Sequence, residues 1–164
     1  MMIEPIEKNE LHNKLVTTGH TLLSLFWGKK PSQVNVKSSN PEIKYSALEY
    51  LMILRYASDL FTGRVERMLK REDVPETHDF DIDKFLETED IEDQSLKANI
   101  EEFMDSRAKL LRLLNPLKDE EWDSYKINHE KFGELTLRQL LTLLANYEEE
   151  WVNNIKTILK EHDL

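Results

Sequence analysis

From Thr136 to about Glu161 the apolar residues return every three or four positions: Leu137, Leu140, Leu141, Leu144, Tyr147, Trp151, Ile155 and Ile158. That period describes one face of an α-helix of about seven turns, and such a stripe has to be buried against other elements. Three more segments carry the same signature. Lys8 to Trp27 presents Leu11, Leu15, Leu22, Leu25 and Phe26. The segment from Ser46 to about Arg71 begins "SALEYLMIL" and becomes charged and amphipathic later. Gln94 to Leu114 presents Leu96, Ile100, Phe103, Leu110, Leu111 and Leu114, with Arg107 near the same face.

The ends of these segments are marked chemically. "SALE" and "TLRQ" are capping boxes, pairing Ser46 with Glu49 and Thr136 with Gln139. Gly28 closes the first helix, and Pro31 and Pro116 prevent continuation of the first and third. Four long amphipathic helices, four glycines and no strand pattern predict an all-α four-helix bundle, one domain over residues 1–164. The connections after helices 1 and 2 are long, so an up-down-up-down order is not forced. The second connection, "DVPETHDFDIDKFLETEDIED", leaves room for a short helix near Ile82–Leu86. "LKDEEWDSY" suggests one helical turn with Trp122 as an apolar plug, and "INHEKFGEL" a turn or short extended stretch hinged at Gly133. "LEYLMIL" is apolar nearly all round, which implies burial on several sides or packing on a partner chain as well as on the core.

Composition excludes several chemistries. The net charge of −10, from 22 basic and 32 acidic side chains, disfavours nucleic acid and anionic membrane surfaces. The lysines of "GKKPSQVNVK" read as a solvated loop. With no cysteine there is no disulfide, thiolate nucleophile or Cys-ligated metal. No apolar run reaches the length of a membrane span and the N-terminus has no signal-like core, so a cytoplasmic location is expected. A calcium loop counted from Asp79 lacks glycine at its sixth position and has Asp90 at its twelfth. The histidines, His12, His20, His78, His129 and His162, are scattered, and His12 and His20 stand about 12 Å apart along one helix. They read as ordinary surface or helix-edge residues. There is no nucleophile elbow, phosphate loop or dinucleotide fingerprint.

Three segments in order resemble the DinB-like (DinB/YfiT) four-helix bundles, over roughly residues 11–159. These are "YSALEYLMILRYASDLFTGRVERML", "SLKANIEEFMDSRAKLLRLLNPLKDEEW" and "KFGELTLRQLLTLLANYEEEWVNNI". The resemblance implies an up-down-down-up bundle, commonly a homodimer. In many members it also implies a divalent metal held by three histidines, one on the second helix and two, four residues apart, on the last, serving thiol-cofactor-dependent transferases among others. In this chain those positions fall on Ile53, Tyr147 and Trp151. Isoleucine cannot coordinate, tryptophan offers only an N–H donor, and neutral tyrosine is a poor ligand. No metal and no cofactor is therefore expected.

Carboxylates do not replace the triad, because the Glu-x-x-His pairs of a bundle di-iron site are missing. Glu49 reads as a cap, Glu148 as solvated or capping, and Glu149 and Glu150 as surface charges. Tyr147 and Trp151 either fill the volume of a lost metal site or line a pocket, together with Ile53, for a small apolar or aromatic molecule. The leading expectation is a metal-free bundle that binds a small molecule or a partner, more a binding protein than an enzyme. A transferase or hydrolase with a relocated metal or thiol-cofactor site is the alternative. A partner-binding helical module, marked by an exposed apolar groove, is the third.

Overall fold

The computed structural model describes residues 3–71 and 80–164. Its long helices are α1 (Lys8–Phe26), α3 (Ala47–Leu69), α5 (Leu96–Leu114) and α7 (Leu137–Glu161). Between them lie α2 (Pro31–Val34), α4 (Ile82–Thr88), a 3₁₀ turn (Ile91–Asp93), α6 (Glu121–Ser124) and the strands β1 (Lys126–His129) and β2 (Gly133–Thr136). Both capping boxes form. Ser46 Oγ accepts from the Glu49 amide and Glu49 Oε1 from the Ser46 amide, each at 3.0 Å. Thr136 and Gln139 make the equivalent pair at 3.1 and 2.9 Å. α1 ends where Trp27 turns away with ψ 128°, and Gly28, at φ +71°, completes a turn in which the Lys29 amide donates to the Phe26 carbonyl at 3.1 Å.

Cross-helix contacts fix the directions. Lys8, at the start of α1, pairs with Asp119 beyond the end of α5, while Arg107 Nη1 donates to the Leu15 carbonyl at mid-helix. So α1 and α5 are antiparallel. Ile6 meets Thr142, and Lys14 meets Glu149, so α1 and α7 are parallel. Arg55 pairs with Glu102, Ser58 with Ser106 and Glu66 with Lys109, so α3 and α5 are parallel. Asn154, late in α7, donates to the hydroxyl of Tyr50, early in α3. The order is up-down-down-up. The parallel α3 and α5 require the long crossover that carries α4.

The core consists of two apolar clusters. One contains Leu22, Phe26, Leu51, Ile53, Phe103 and Ile155; the other contains Leu11, Leu15, Phe61, Leu110, Trp122 and Leu140. Each long helix passes from one cluster to the other at a polar residue: Thr18 in α1, Ser58 in α3, Ser106 and Arg107 in α5, Glu148 in α7. "LEYLMIL" is covered within the single chain: Leu48, Tyr50, Leu51, Met52, Ile53 and Leu54 are all buried. A second copy is not needed to cover it.

One sequence expectation is sharpened here and one requires correction. "INHEKFGEL", expected as a turn or short extended stretch, is part of an antiparallel hairpin with Ile127 opposite Leu135, although the sequence shows no strand pattern. A strand of four residues is too short to display a period of two. His129, read as a surface histidine, is buried in that hairpin. Its Nδ1 accepts from the Lys131 and Phe132 amides at 3.1 and 3.4 Å, and its ring lies 5.1 Å from that of Phe132. His78 lies outside the described residues.

Candidate functional site

Residues 147 and 151 are one helical turn apart on α7, so their side chains lie over each other on one face. The rings of Tyr147 and Trp151 are stacked, with centroids 5.4 Å apart and planes 12° from parallel. Trp151 is buried and Tyr147 half-buried. Ile53, on the facing α3, is fully buried in the cluster that includes Trp151 and against which Tyr147 packs. The helices thus bring the three residues into one apolar region.

The crossover completes this region. The ring of Phe80 stands nearly perpendicular to those of Tyr147 and Trp151, with centroids 6.0 and 5.7 Å away. The same ring contacts Tyr56 at 6.0 Å and Phe61 at 6.5 Å. Phe85 of α4 stacks on Tyr56 at 4.2 Å. Sequence reading placed no aromatic from the crossover here. The signal lay in two phenylalanines, Phe80 and Phe85, within an otherwise acidic stretch.

Charges pin the crossover in place. Arg55 of α3 pairs with Glu89 and Glu102, with its guanidinium 5.7 Å from the centre of the Phe85 ring. Asp83 accepts from Lys44 Nζ at 2.9 Å and from the Tyr45 hydroxyl at 2.7 Å. Those two hydrogen bonds, Lys44 first, hold the Asp83 carboxyl below its ordinary value of 3.8. Burial, followed by the Asp83 contact, pushes the Tyr45 hydroxyl up.

The side chains at 53, 147 and 151 do not fit a divalent metal. Their only side-chain oxygen or nitrogen atoms are a phenolic oxygen and an indole N–H, and the ring that meets both aromatics is Phe80, which offers no donor atom. Among the described residues, no group of three or more His, Asp or Glu is arranged to hold an ion.

A second polar arrangement lies at mid-bundle. Glu148 was expected to be solvated or a cap; instead it is 2% exposed and paired with Arg107, itself 4% exposed. Thr18 contributes a long hydroxyl contact to Glu148 at 3.4 Å, and the Arg107 guanidinium sits 4.7 Å from the centre of the Phe103 ring. Glu148 also lines a polar groove of about 210 Å³ between α1 and α7, with Lys14, Thr17, Asn153 and Lys156. Both charged residues interrupt apolar rows, Phe103–Arg107–Leu110 and Leu144–Glu148–Trp151. Two opposite charges in facing apolar rows were the available signal for a buried pair.

No protein-family model matches the chain, and no curated protein matches it in sequence. Among solved structures the chain is similar to YfiT from Bacillus subtilis, described as a probable metal-dependent hydrolase with an unusual four-helix bundle topology. The two share 15% sequence identity, and the match has a TM-score of 0.79 over 96% of this chain and 90% of that one. At that identity the likeness shows a common fold, the DinB-like four-helix bundle.

Proposed function

We propose that, on the fold it shares with YfiT, this chain serves as a metal-free binding protein, holding a small apolar or aromatic molecule against Tyr147 and Trp151 above Ile53. The carrying observation is the Phe80 ring, which packs nearly perpendicular to both members of the stacked pair. A planar apolar group is therefore accommodated at that spot, and it is delivered by a connection rather than by a long helix. A ligand ring displacing Phe80 would meet the same two rings. Aromatic pairs of this kind contribute about 0.5–1.5 kcal/mol each beyond area burial.

The test is a thermal-shift and calorimetric screen of small aromatic compounds, such as indole and benzyl alcohol, on the wild type and on Phe80→Ala. Phe80→Ala should bind more tightly, because removing the ring vacates its place. Trp151→Leu should lose the effect. If neither wild type nor Phe80→Ala is stabilised by any of them, the rings are packing only and the proposal fails.

The rival is an enzyme with a relocated metal or thiol-cofactor site, favoured by the description of YfiT. Metal analysis of protein purified without a polyhistidine tag separates the two: stoichiometric zinc, nickel or iron would overturn the binding-protein reading. A single domain over 1–164, a homodimer and a cytoplasmic location belong to the same proposal. No helix among the described residues is long and apolar enough to cross a membrane. The dimer rests on the family resemblance, and sedimentation at micromolar concentration showing only monomer would remove it.

A further inference from the structure

A second apolar site lies on the other side of the bundle, where the end of α1 meets the start of α5. Leu23, Phe26, Trp27, Leu96, Ile100 and Met104 line a groove of about 380 Å³ there. That volume falls in the usual range for small-molecule sites. Trp27 is 75% exposed and Leu23 39% exposed. Single exposed apolar residues are common, but Leu23 in the last turn of α1 and Trp27 at its C-cap both border the groove.

The rim is polar in a specific sense. Lys29 and Lys97 line it with one acid, Glu101, so the lining residues carry one net positive charge on a chain whose net charge is −10, with Asp90, Glu92 and Asp93 preceding the start of α5. Lys97 makes only a 3.8 Å contact to Glu101, and both side chains are mostly exposed. Lys29 Nζ donates to the Leu25 carbonyl at 2.9 Å, offsetting the partial negative charge at the end of α1. Leu96 and Lys97 are the first two residues of α5, so their amides have no intrahelical acceptor and the helix dipole is positive there. The apolar wall, the lysines and the helix start converge on one chemistry.

We infer that this groove binds a small amphiphilic anion, a single apolar chain ending in a monoanionic head. The chain lies along Leu23, Trp27, Ile100 and Met104, and the head sits by Lys97 and the first turn of α5. The strong negative charge elsewhere opposes an anionic bilayer as the source, so the ligand is a free amphiphile.

Titrating the full chain with decanoate below its micelle concentration tests this. Trp122 and Trp151 are buried, so a change in tryptophan emission reports mainly on Trp27. Saturable blue-shifted emission is expected with decanoate, and weaker binding with decanol and decyltrimethylammonium. Trp27→Phe should abolish the optical signal while calorimetry still detects binding. Lys97→Glu and Leu23→Glu, both at exposed positions that leave the fold intact, should each weaken binding about tenfold, or about 1.4 kcal/mol. Three results would overturn the inference: no saturable binding, equal binding of the cationic amphiphile, or binding only to phosphatidylglycerol vesicles. A sedimentation shift to dimer that Leu23→Glu abolishes, without decanoate binding, would assign the groove to a second copy of the chain and would also overturn it.

Discussion

Replacing Glu148 with alanine should be among the most destabilising single changes in this protein. The carboxylate is 2% exposed, and its partner Arg107 is 4% exposed. Once Glu148 is gone, the guanidinium keeps one good acceptor, the Leu15 carbonyl at 2.7 Å, and otherwise faces the ring of Phe103. A buried charge left in this way costs about 3–5 kcal/mol, a large fraction of the roughly 5–15 kcal/mol that holds a domain together. For a chain of this size that corresponds to a drop in Tm of roughly 6–20 °C. The double variant Arg107→Met/Glu148→Leu should recover most of the loss. It removes both charges, and the Leu15 carbonyl keeps its place in the ladder of α1. Urea denaturation of the wild type, Arg107→Met, Glu148→Leu and the double variant forms a closed cycle, with a coupling well above the roughly 0.2–1 kcal/mol of an exposed pair. If Glu148→Ala costs less than about 1 kcal/mol, or its cost vanishes in high salt, the pair is solvated and the reasoning is wrong.

Two further outcomes follow from local geometry. The Asp83 carboxyl titrates below its ordinary value because Lys44 and Tyr45 donate to it, so the stabilisation it brings is complete above the unfolded-chain value near 3.8 and fades as pH falls through the lower folded value. In Lys44→Ala the Asp83 midpoint, followed by NMR, should move up toward 3.8; an unmoved midpoint would remove Lys44 as the cause. Gly133 has φ +72° with nothing within 4 Å of an added Cβ, so Gly133→Ala should cost about 1 kcal/mol in urea denaturation through backbone strain alone, and a neutral result would mean the turn relaxes freely.

The parts of the fold that depend on local chemistry were legible in the sequence. Ser46 and Glu49 sit at the start of α3, and Thr136 and Gln139 at the start of α7, because each pair satisfies amides that no distant residue competes for. What was not legible depends on a partner far away in the chain. Glu148 looks solvated next to Glu149 and Glu150, and only Arg107, 41 residues earlier, makes its burial tolerable. "LEYLMIL" left open burial on several sides or a partner chain as well as the core, because sequence cannot show whether distant helices of the same chain cover it; here the segment is buried within the one chain. The roles of Phe80 and Phe85 were hidden for the same reason. An aromatic residue in an acidic connection has no period, and its place is set by the rings it meets on α3 and α7.

These observations make Ile53, Tyr147, Trp151 and Phe80 one interdependent set. Consider a single return toward the metal-binding pattern that the resemblance implies, Trp151→His. An imidazole would replace a larger ring at a 5% exposed position, stacked on Tyr147 and met by Phe80, with Ile53 offering no second donor. The loss combines lost packing volume with a buried polar group lacking a ligand, each worth on the order of 1–3 kcal/mol or more. Returning all three positions to histidine would supply the donors but leave the Phe80 ring against them. Conversely, a bundle with Ile, Tyr and Trp at these positions needs an apolar cover, and the crossover provides it through Phe80, held by Phe85 on Tyr56 and by Arg55 on Glu89. The connection between α3 and α5 therefore packs, through Phe80, into the same apolar region as the side chains on α3 and α7, and a change at these positions also alters the packing of Phe80.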